Sequence, residues 1–506
     1  MKIRNILSLA LLLSLGFTAQ GCSDNDEPSV VTRLTGAGSY LTVMRDYVEL
    51  SELNYSIGKN STIIGINTDG EWTAESSDTS WCKLAVHAGY GYADSLRNSY
   101  TRIDVTKNEG EARTAQIVFK SGNISKTVTV NQKGMGVSAG DPFESAFTFV
   151  ENLVFGYNLG NTLDSNPYDP THRWWNPVGK TPVEWEMAWG QPETTQEIID
   201  AIAAQGFNVI RVPVTWYPHM DENDNVEEEW MNRVQQVVDM VLHAGCYCVL
   251  NVQHDSGSGI VSVNGSNVTR KDGGAWLVAD LGNYETITAK FQKLWQQIAT
   301  RFRDYDDKLL FEAFNEILDA NFEWGDPADA SAYTTINMLT QDFVNTVRAT
   351  GGNNEYRNLV INPYSAGNSP AKLAGVAVPD DKHPNHLLGS VHSYDPYSFC
   401  CDNGQWNIYV FDTACQQEID DIVSRVADTY SDLGIPVFFG EFGAIDENKD
   451  MGERIKYASY MARQLKAHEL SGLWWMGLLD RKTLTWTESE IVDALFGFSE
   501  SHVQKR

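Results

Sequence analysis

The segment LLFEAFNEI, residues 309–317, sets two carboxylates, Glu312 and Glu316, four positions apart in an otherwise apolar run around Asn315. On an exposed helix such a pair is ordinary. On a buried strand at least one carboxylate needs a polar destination, because an unpaired buried charge is costly. The neighbouring sequence decides for the strand. Similar runs recur from residue 143 onward: FGYNLGNTL, FNVIRVPV, CYCVLNVQH, LLFEAFNEI itself, NLVINPY, LLGSVHSY, PVFFGEFGA and GLWWMGLL. Amphipathic stretches such as TTQEIIDAIAAQG and EWMNRVQQVVDMVLHAG lie between them. Strand and helix alternating eight times predict a parallel sheet, and eight such units close into a (β/α)8 barrel of the α/β class. Near-continuous apolar strands fit a sheet buried on both faces.

Chemistry in such a barrel sits at the C-terminal ends of the strands. Strand two ends near Arg211, strand three in Gln253, His254 and Asp255, and strand four in Asn315 and Glu316. Strand six ends in His392 and Tyr394, strand seven in Glu441, and strand eight carries Trp474 and Trp475. Glu316 is therefore expected to point into a cleft. Glu312 lies about 13 Å of extended strand earlier, at or below mid-barrel, and is read as structural, satisfied by a buried partner. Two carboxylates facing each other across a barrel mouth suit glycoside hydrolysis, one protonated to donate to the leaving oxygen and one ionised to attack the anomeric carbon. Arg211 and His392 are placed to push the two pKa values apart, Arg211 by holding the nucleophile as a carboxylate.

Composition narrows the partners. Acidic residues outnumber basic ones 67 to 38, for a formal charge of −29, which disfavours nucleic acid and anionic lipid surfaces. Neutral polymers are compatible with that charge, and 15 Trp with 21 Tyr supply faces that stack on sugar rings. DENDNVEEE (221–229) starts like an EF-hand loop, but Val226 stands where Gly is needed and Asn232 where the closing Glu is needed, so no metal is expected there. Six cysteines beyond residue 22 fit no zinc spacing. Cys400 or Cys401 bridged to Cys415, and buried free thiols, are both compatible with the sequence.

The N-terminus, MKIRNILSLALLLSLGFTAQGC, has Lys2 and Arg4, an apolar run from Ile6 to Phe17 and small residues before Cys22. The run is shorter than the ~20 residues a bilayer span needs, so residues 1–21 read as a signal peptide. Cys22 after TAQG resembles a bacterial lipobox and is expected to be lipidated; ordinary secretory cleavage is the alternative. The following SDNDE resembles the acidic export signal of surface lipoproteins in Bacteroides-type bacteria. The implied location is the outer membrane, surface-exposed, with membrane contact through the lipid alone.

Residues 22–36 read as a tether. Residues 37–134 carry short alternating strands, among them STIIGINT, GEWTAES and SKTVTVNQKG, which predict a small antiparallel, immunoglobulin-like sandwich. NTDGEWTAESSDTSWCKLAV and the closing NEGEARTAQIVFKSGNISKTVTVNQKG resemble the BACON domain. Trp72 and Trp81 are expected in the sandwich core, with a sugar platform as the alternative. A linker spans residues 135–142, and the barrel domain spans 143–503.

GYNLGNTLD, EMAWGQPETT, GFNVIRVPVTW, FEAFNEI, HSYDPYSF and FFGEFGA, in this order, resemble glycoside hydrolase family 5, and within it a subfamily of endo-β-1,4-glucanases and endo-xyloglucanases. The resemblance implies a retaining mechanism with Glu316 as acid/base and Glu441 as nucleophile, no cofactor, and a monomer acting on β-1,4-glucan. It further implies Asn315 on the sugar 2-hydroxyl, Tyr394 on the nucleophile, electrostatic support from Arg211 and His392, and Trp475 under the sugar at the cleavage point. Asn161, Gln253, His254 and Trp324 complete the implied substrate-binding set. The chain departs from the family where NVQH replaces the usual N-x-H-H: Gln253 can donate a hydrogen bond but carries no charge. Trp174, Trp175, Tyr217 and Trp324 are candidates for outer subsites. Within the family, xyloglucan is the expected substrate, with unbranched or mixed-linkage glucan and β-mannan as alternatives. A non-catalytic glycan-binding surface lipoprotein would be expected to lack Glu316, Glu441 or Arg211, and all three are present.

Overall fold

The computed structural model describes residues 33–497 except 35, 46–47, 56–59, 93–98, 107, 109, 111, 133–141, 167–178, 257–259, 264–265, 270–275, 403, 405–406 and 447–448. The signal peptide, Cys22, nearly all of the tether and linker, and Trp174 and Trp175 lie outside the described residues.

The N-terminal region forms two sheets. One has six strands, with Arg113–Ser121 and Ile124–Gln132 at its heart; the other has five, centred on Asn60–Thr68 and Ser99–Val105. Alternate residues of these strands are buried, as a sheet with one solvated face requires. Trp72 and Trp81 are 1% and 4% exposed and fill the interior with Ile64, Ile66, Ile117 and Phe119. Trp81 is fixed further by its indole N–H donating to Asp78 (3.1 Å) and by the Arg113 guanidinium 4.4 Å above its ring. Both tryptophans are core residues.

The remainder closes into an eight-stranded parallel barrel, and every strand expected from sequence is present: β1 (Gly156–Asn158), β2 (Val209–Val212), β3 (Tyr247–Asn251), β4 (Leu309–Glu312), β5 (Leu359–Ile361), β6 (Leu387–Ser393), β7 (Val437–Phe442) and β8 (Gly472–Trp475). Alternation along each strand sends one set of side chains outward, against helices such as Glu228–His243 and Tyr284–Arg301, and the other inward. Val209, Val249, Leu310, Val360, Leu388, Phe438 and Leu473, one from each of β2 to β8, form a layer across the barrel bottom. The short helix Ala146–Asn152 closes that end by packing Ala146, Phe149 and Val150 on the layer. Its start is fixed by Ser145, whose hydroxyl accepts from the Thr148 amide.

Two irregularities aim the upper end. The β6–β7 ladder shifts register between Val391 and His392, which sets His392 opposite Glu441, and β7–β8 shifts again between Phe439 and Phe442. Gly440 permits the first: a Cβ there would lie 2.2 Å from Ser390 Oγ.

All six described cysteines are free thiols, so Cys400, Cys401 and Cys415 form no bridge. Among the described residues no helix is long and apolar enough to cross a membrane.

Because Phe149 contributes its ring to the bottom layer, Phe149→Ala is expected to cost about 3–5 kcal/mol of barrel stability. Urea unfolding followed by tryptophan fluorescence measures it; a loss under ~1 kcal/mol would show that the helix does not seal the barrel.

Candidate active site

Arg211 lies inside the barrel at the upper end of β2, wholly buried. Four of its N–H groups are spoken for. Nε donates to Glu312 (2.6 Å), Nη1 to both Asn158 (3.0 Å) and Glu441 (2.8 Å), and Nη2 to Asn315 (2.9 Å). Glu312 therefore ends the β4 ladder, and the buried partner expected for it is Arg211. Its other oxygen accepts from Asn362 (3.0 Å). Asn158 in turn donates to the carbonyl of Gly440, one residue before Glu441.

Above this layer stand the two expected catalytic carboxylates. Glu441 accepts from Arg211 on one oxygen and from the Tyr394 hydroxyl (2.7 Å) on the other. Glu316 meets His392 Nδ1 at 2.8 Å, and the same nitrogen lies 3.6 Å from Glu441. One oxygen of each glutamate and one His392 nitrogen lie within 4.8 Å of one another. Glu441 is 4% exposed, whereas the Glu316 side chain keeps 19% of its surface open.

The electrostatics follow from these contacts. Burial pushes the Glu441 carboxyl up, but the His392 and Arg211 charges and hydrogen bonds from Tyr394 and Arg211 outweigh it, and its pKa is lowered. For His392, burial favours the neutral ring, and the Glu441 charge with the bond and charge of Glu316 overcomes it, so its pKa is raised. Burial and the Glu441 charge push the Tyr394 phenol well above its ordinary range, so it stays a hydrogen-bond donor. Glu316, His392 and Glu441 are also of metal-ligating type. Here a guanidinium and a phenol already occupy the two oxygens of Glu441, and Glu316 is engaged by the His392 ring, which leaves little of the set free for a cation.

The other expected residues divide. Trp475 is half-buried at the end of β8, and Gly160 makes room for it: a Cβ on Gly160 would lie 3.0 Å from the indole. Asn161 follows in the left-handed conformation (φ 58°) that Asn tolerates, its amide donating to Asp164 (3.0 Å). His254 is half-buried, its ring 5.5 Å from that of Trp189. Gln253 is 1% exposed, and its amide oxygen accepts from Asn251 (2.6 Å), tying it into the turn after β3. Trp324 is 47% exposed on the loop after β4, and Tyr217 is half-buried after β2. Sequence reasoning passed over Asn158 and Asn362 and left Glu312 without a partner. The signal available was that each is a polar residue within or just after a mostly apolar strand run; their pairing with one another was not written there.

Tyr394→Phe removes a bond that lowers the Glu441 pKa, so the acid limb of kcat/KM is expected to move to higher pH; an unmoved limb would show that Tyr394 does not tune Glu441. Glu312→Gln leaves Arg211 short of a buried charge partner, and is expected to cost about 3–5 kcal/mol of stability and at least roughly tenfold in kcat/KM. Retention of both within error would mean Arg211 needs only Glu441.

A model of the cellulase (glycosyl hydrolase family 5) family matches residues 175–477, and one described as a putative N-terminal binding domain, BACON, matches residues 70–133. Endoglucanase A of Clostridium longisporum is 30% identical over 77% of this chain and 73% of its own length. A xyloglucan-specific endo-beta-1,4-glucanase of Bacteroides ovatus is 27% identical over 94% of this chain and 91% of its own. Among solved structures, a family 5 enzyme of Prevotella bryantii, held as a mutant with a xyloglucan tetradecasaccharide, superposes with TM-score 0.62 at 36% identity, over 71% of this chain and 99% of the other. With the barrel, the paired carboxylates at its rim and a family model spanning more than half of the sequence, the chain belongs to glycoside hydrolase family 5.

Proposed function

We propose that this chain is a retaining endo-β-1,4-glucanase that cuts the glucan backbone of xyloglucan. The observation that carries the hydrolytic reading is the close approach of Glu316 and Glu441, within 4.8 Å through their nearest atoms, with Arg211 and Tyr394 both on Glu441. Carboxyls about 5–5.5 Å apart leave no room for a water between nucleophile and sugar, whereas inversion needs ~6.5–9.5 Å.

Glu441, ionised, attacks the anomeric carbon while the bond from that carbon to the leaving oxygen breaks and Glu316 gives its proton to that oxygen. The product is a glycosyl ester on Glu441 and a carboxylate on Glu316. Glu316 then takes a proton from water, the resulting hydroxide attacks the same carbon, and the ester bond breaks to return Glu441. The His392 ring at 2.8 Å from Glu316 keeps a proton within reach as that carboxyl changes role. Arg211 and Tyr394 hold Glu441 while its negative charge is lost and regained.

Xyloglucan is preferred because a relative matched along nearly the whole chain, sandwich included, is specific for it, and the tetradecasaccharide complex belongs to a similar barrel. A broad-specificity endoglucanase is the second reading, since a Clostridium structure so described is 30% identical. We place the enzyme at the cell surface, anchored through a lipid on Cys22, on the strength of the leader and the acidic stretch behind it.

Initial rates on soluble xyloglucan and on carboxymethyl-cellulose, with Glu316→Gln and Glu441→Gln as controls, test the substrate reading. Preference for xyloglucan by roughly tenfold or more in kcat/KM, abolished in both variants, is the expected result. Equal turnover of the unbranched chain would move the assignment to a general endoglucanase, and no cleavage of either would sink it. Cys22→Ala is expected to release the protein from the membrane fraction; retention there would refute the lipid anchor.

A further inference from the structure

Lys372 is a lysine inside the protein, 8% exposed, and the hydrolytic machinery described above does not use it. Its ammonium donates to the carbonyl of Trp324 (2.8 Å) and to Ser365 Oγ (2.8 Å). Burial pulls its pKa down, and charges on Asp326, Glu316 and Asp395 oppose that pull. Such a costly cation needs a reason to be where it is.

The surroundings are built around it. Ser365 and Ala366 both sit in the left-handed region, at φ 51° and 48°, a strained pair for residues other than glycine. Gly367 follows, and a Cβ there would lie 2.7 Å from Lys372 Cδ and 2.9 Å from Nζ. Its bare backbone is what lets the lysine through. The same loop after β5 is stitched to the loop after β4 at several points. The Ser365 amide donates to Ile317 (2.9 Å), and the Tyr364 hydroxyl accepts from Asp319 (3.0 Å) and donates to Glu323 (2.6 Å). Ser369 closes the far end on Asp326 (2.6 Å). Glu316 begins the clasped segment, and half-exposed Trp324 stands eight residues further along it.

We infer that Lys372 is a positioning residue that fixes Trp324 as a stacking platform for a glucosyl unit of the departing, leaving-group half of the substrate. Glu316 protonates the leaving oxygen, so the departing chain lies on the side of the barrel where β4 and β5 end. A platform there works only if its backbone is held still, and the ammonium holds the Trp324 carbonyl. The inference rests on the hydrolase reading above.

The test compares xyloglucan with an aryl β-cellotrioside, which places no sugar beyond the cleavage point. Lys372→Met is expected to lower kcat/KM on xyloglucan by about tenfold and to leave aryl cellotrioside turnover within about twofold. Gly367→Ala keeps the lysine but displaces it, and is expected to show the same selectivity. Trp324→Ala should lower xyloglucan turnover, and adding Lys372→Met to it should cost nothing further. Equal losses on both substrates, or additive losses in the double variant, would overturn the clasp, since either means that Lys372 acts through general structure; thermal unfolding of each variant is read alongside. Wild-type rates distinguish the two failures: a wild type that cuts neither substrate refutes the hydrolase reading and the platform with it, whereas normal wild-type turnover with an unselective loss refutes the clasp alone.

Discussion

A guanidinium with no access to water holds this site together. Arg211 would be intolerable in the barrel interior unpaired, and it is made stable by two carboxylates and two asparagine oxygens from β1, from β4 and the turn that follows it, and from β7. That requirement orients Glu441, fixes Asn315 beside Glu316, and calls for Asn362 to support Glu312 from β5. The two carboxylates proposed as catalytic sit on an ionic floor whose members come from β1, β2, β4, β5 and β7. Strand closure and active-site geometry are therefore the same problem here.

The floor also explains the division of labour between chemically identical glutamates. Glu441 touches a fixed cation and a phenol, which favour its ionised form against the pull of burial. Glu316 meets an imidazole and keeps part of its surface open to the cleft. These environments support the proposed roles, Glu441 as nucleophile and Glu316 as acid/base. The bulges flanking β7 and the bare backbone of Gly440 bring these environments to within a few ångströms of each other.

Much of this was legible in the sequence. The eight strands announced themselves because parallel barrel strands are apolar on both faces, and the rim residues because they interrupt that pattern at a constant place. Trp72 followed the alternation of its strand into the core, and Trp81 enters it from the turn just before Cys82–Leu84. Partners across the barrel were harder: Glu312 carries no mark that Arg211, about a hundred positions away, is its counter-ion, since pairing between strands depends on register and tilt. The cysteines were ambiguous for the same reason, as Cys400 and Cys415 are close in sequence yet remain free thiols. Neither the Lys372 contact nor the strained turn at Ser365 and Ala366 shows in a pattern of polarity.

We propose that Glu441, seated on Arg211, is the nucleophile of a double displacement. Incubation with an activated 2-deoxy-2-fluoro β-cellotrioside, followed by proteolysis and mass spectrometry, tests it most directly. One glycosyl adduct per chain is expected, on the peptide carrying Glu441, accumulating as activity is lost. An adduct on Glu316 or another residue, or turnover that releases the inverted sugar with no adduct, would contradict it.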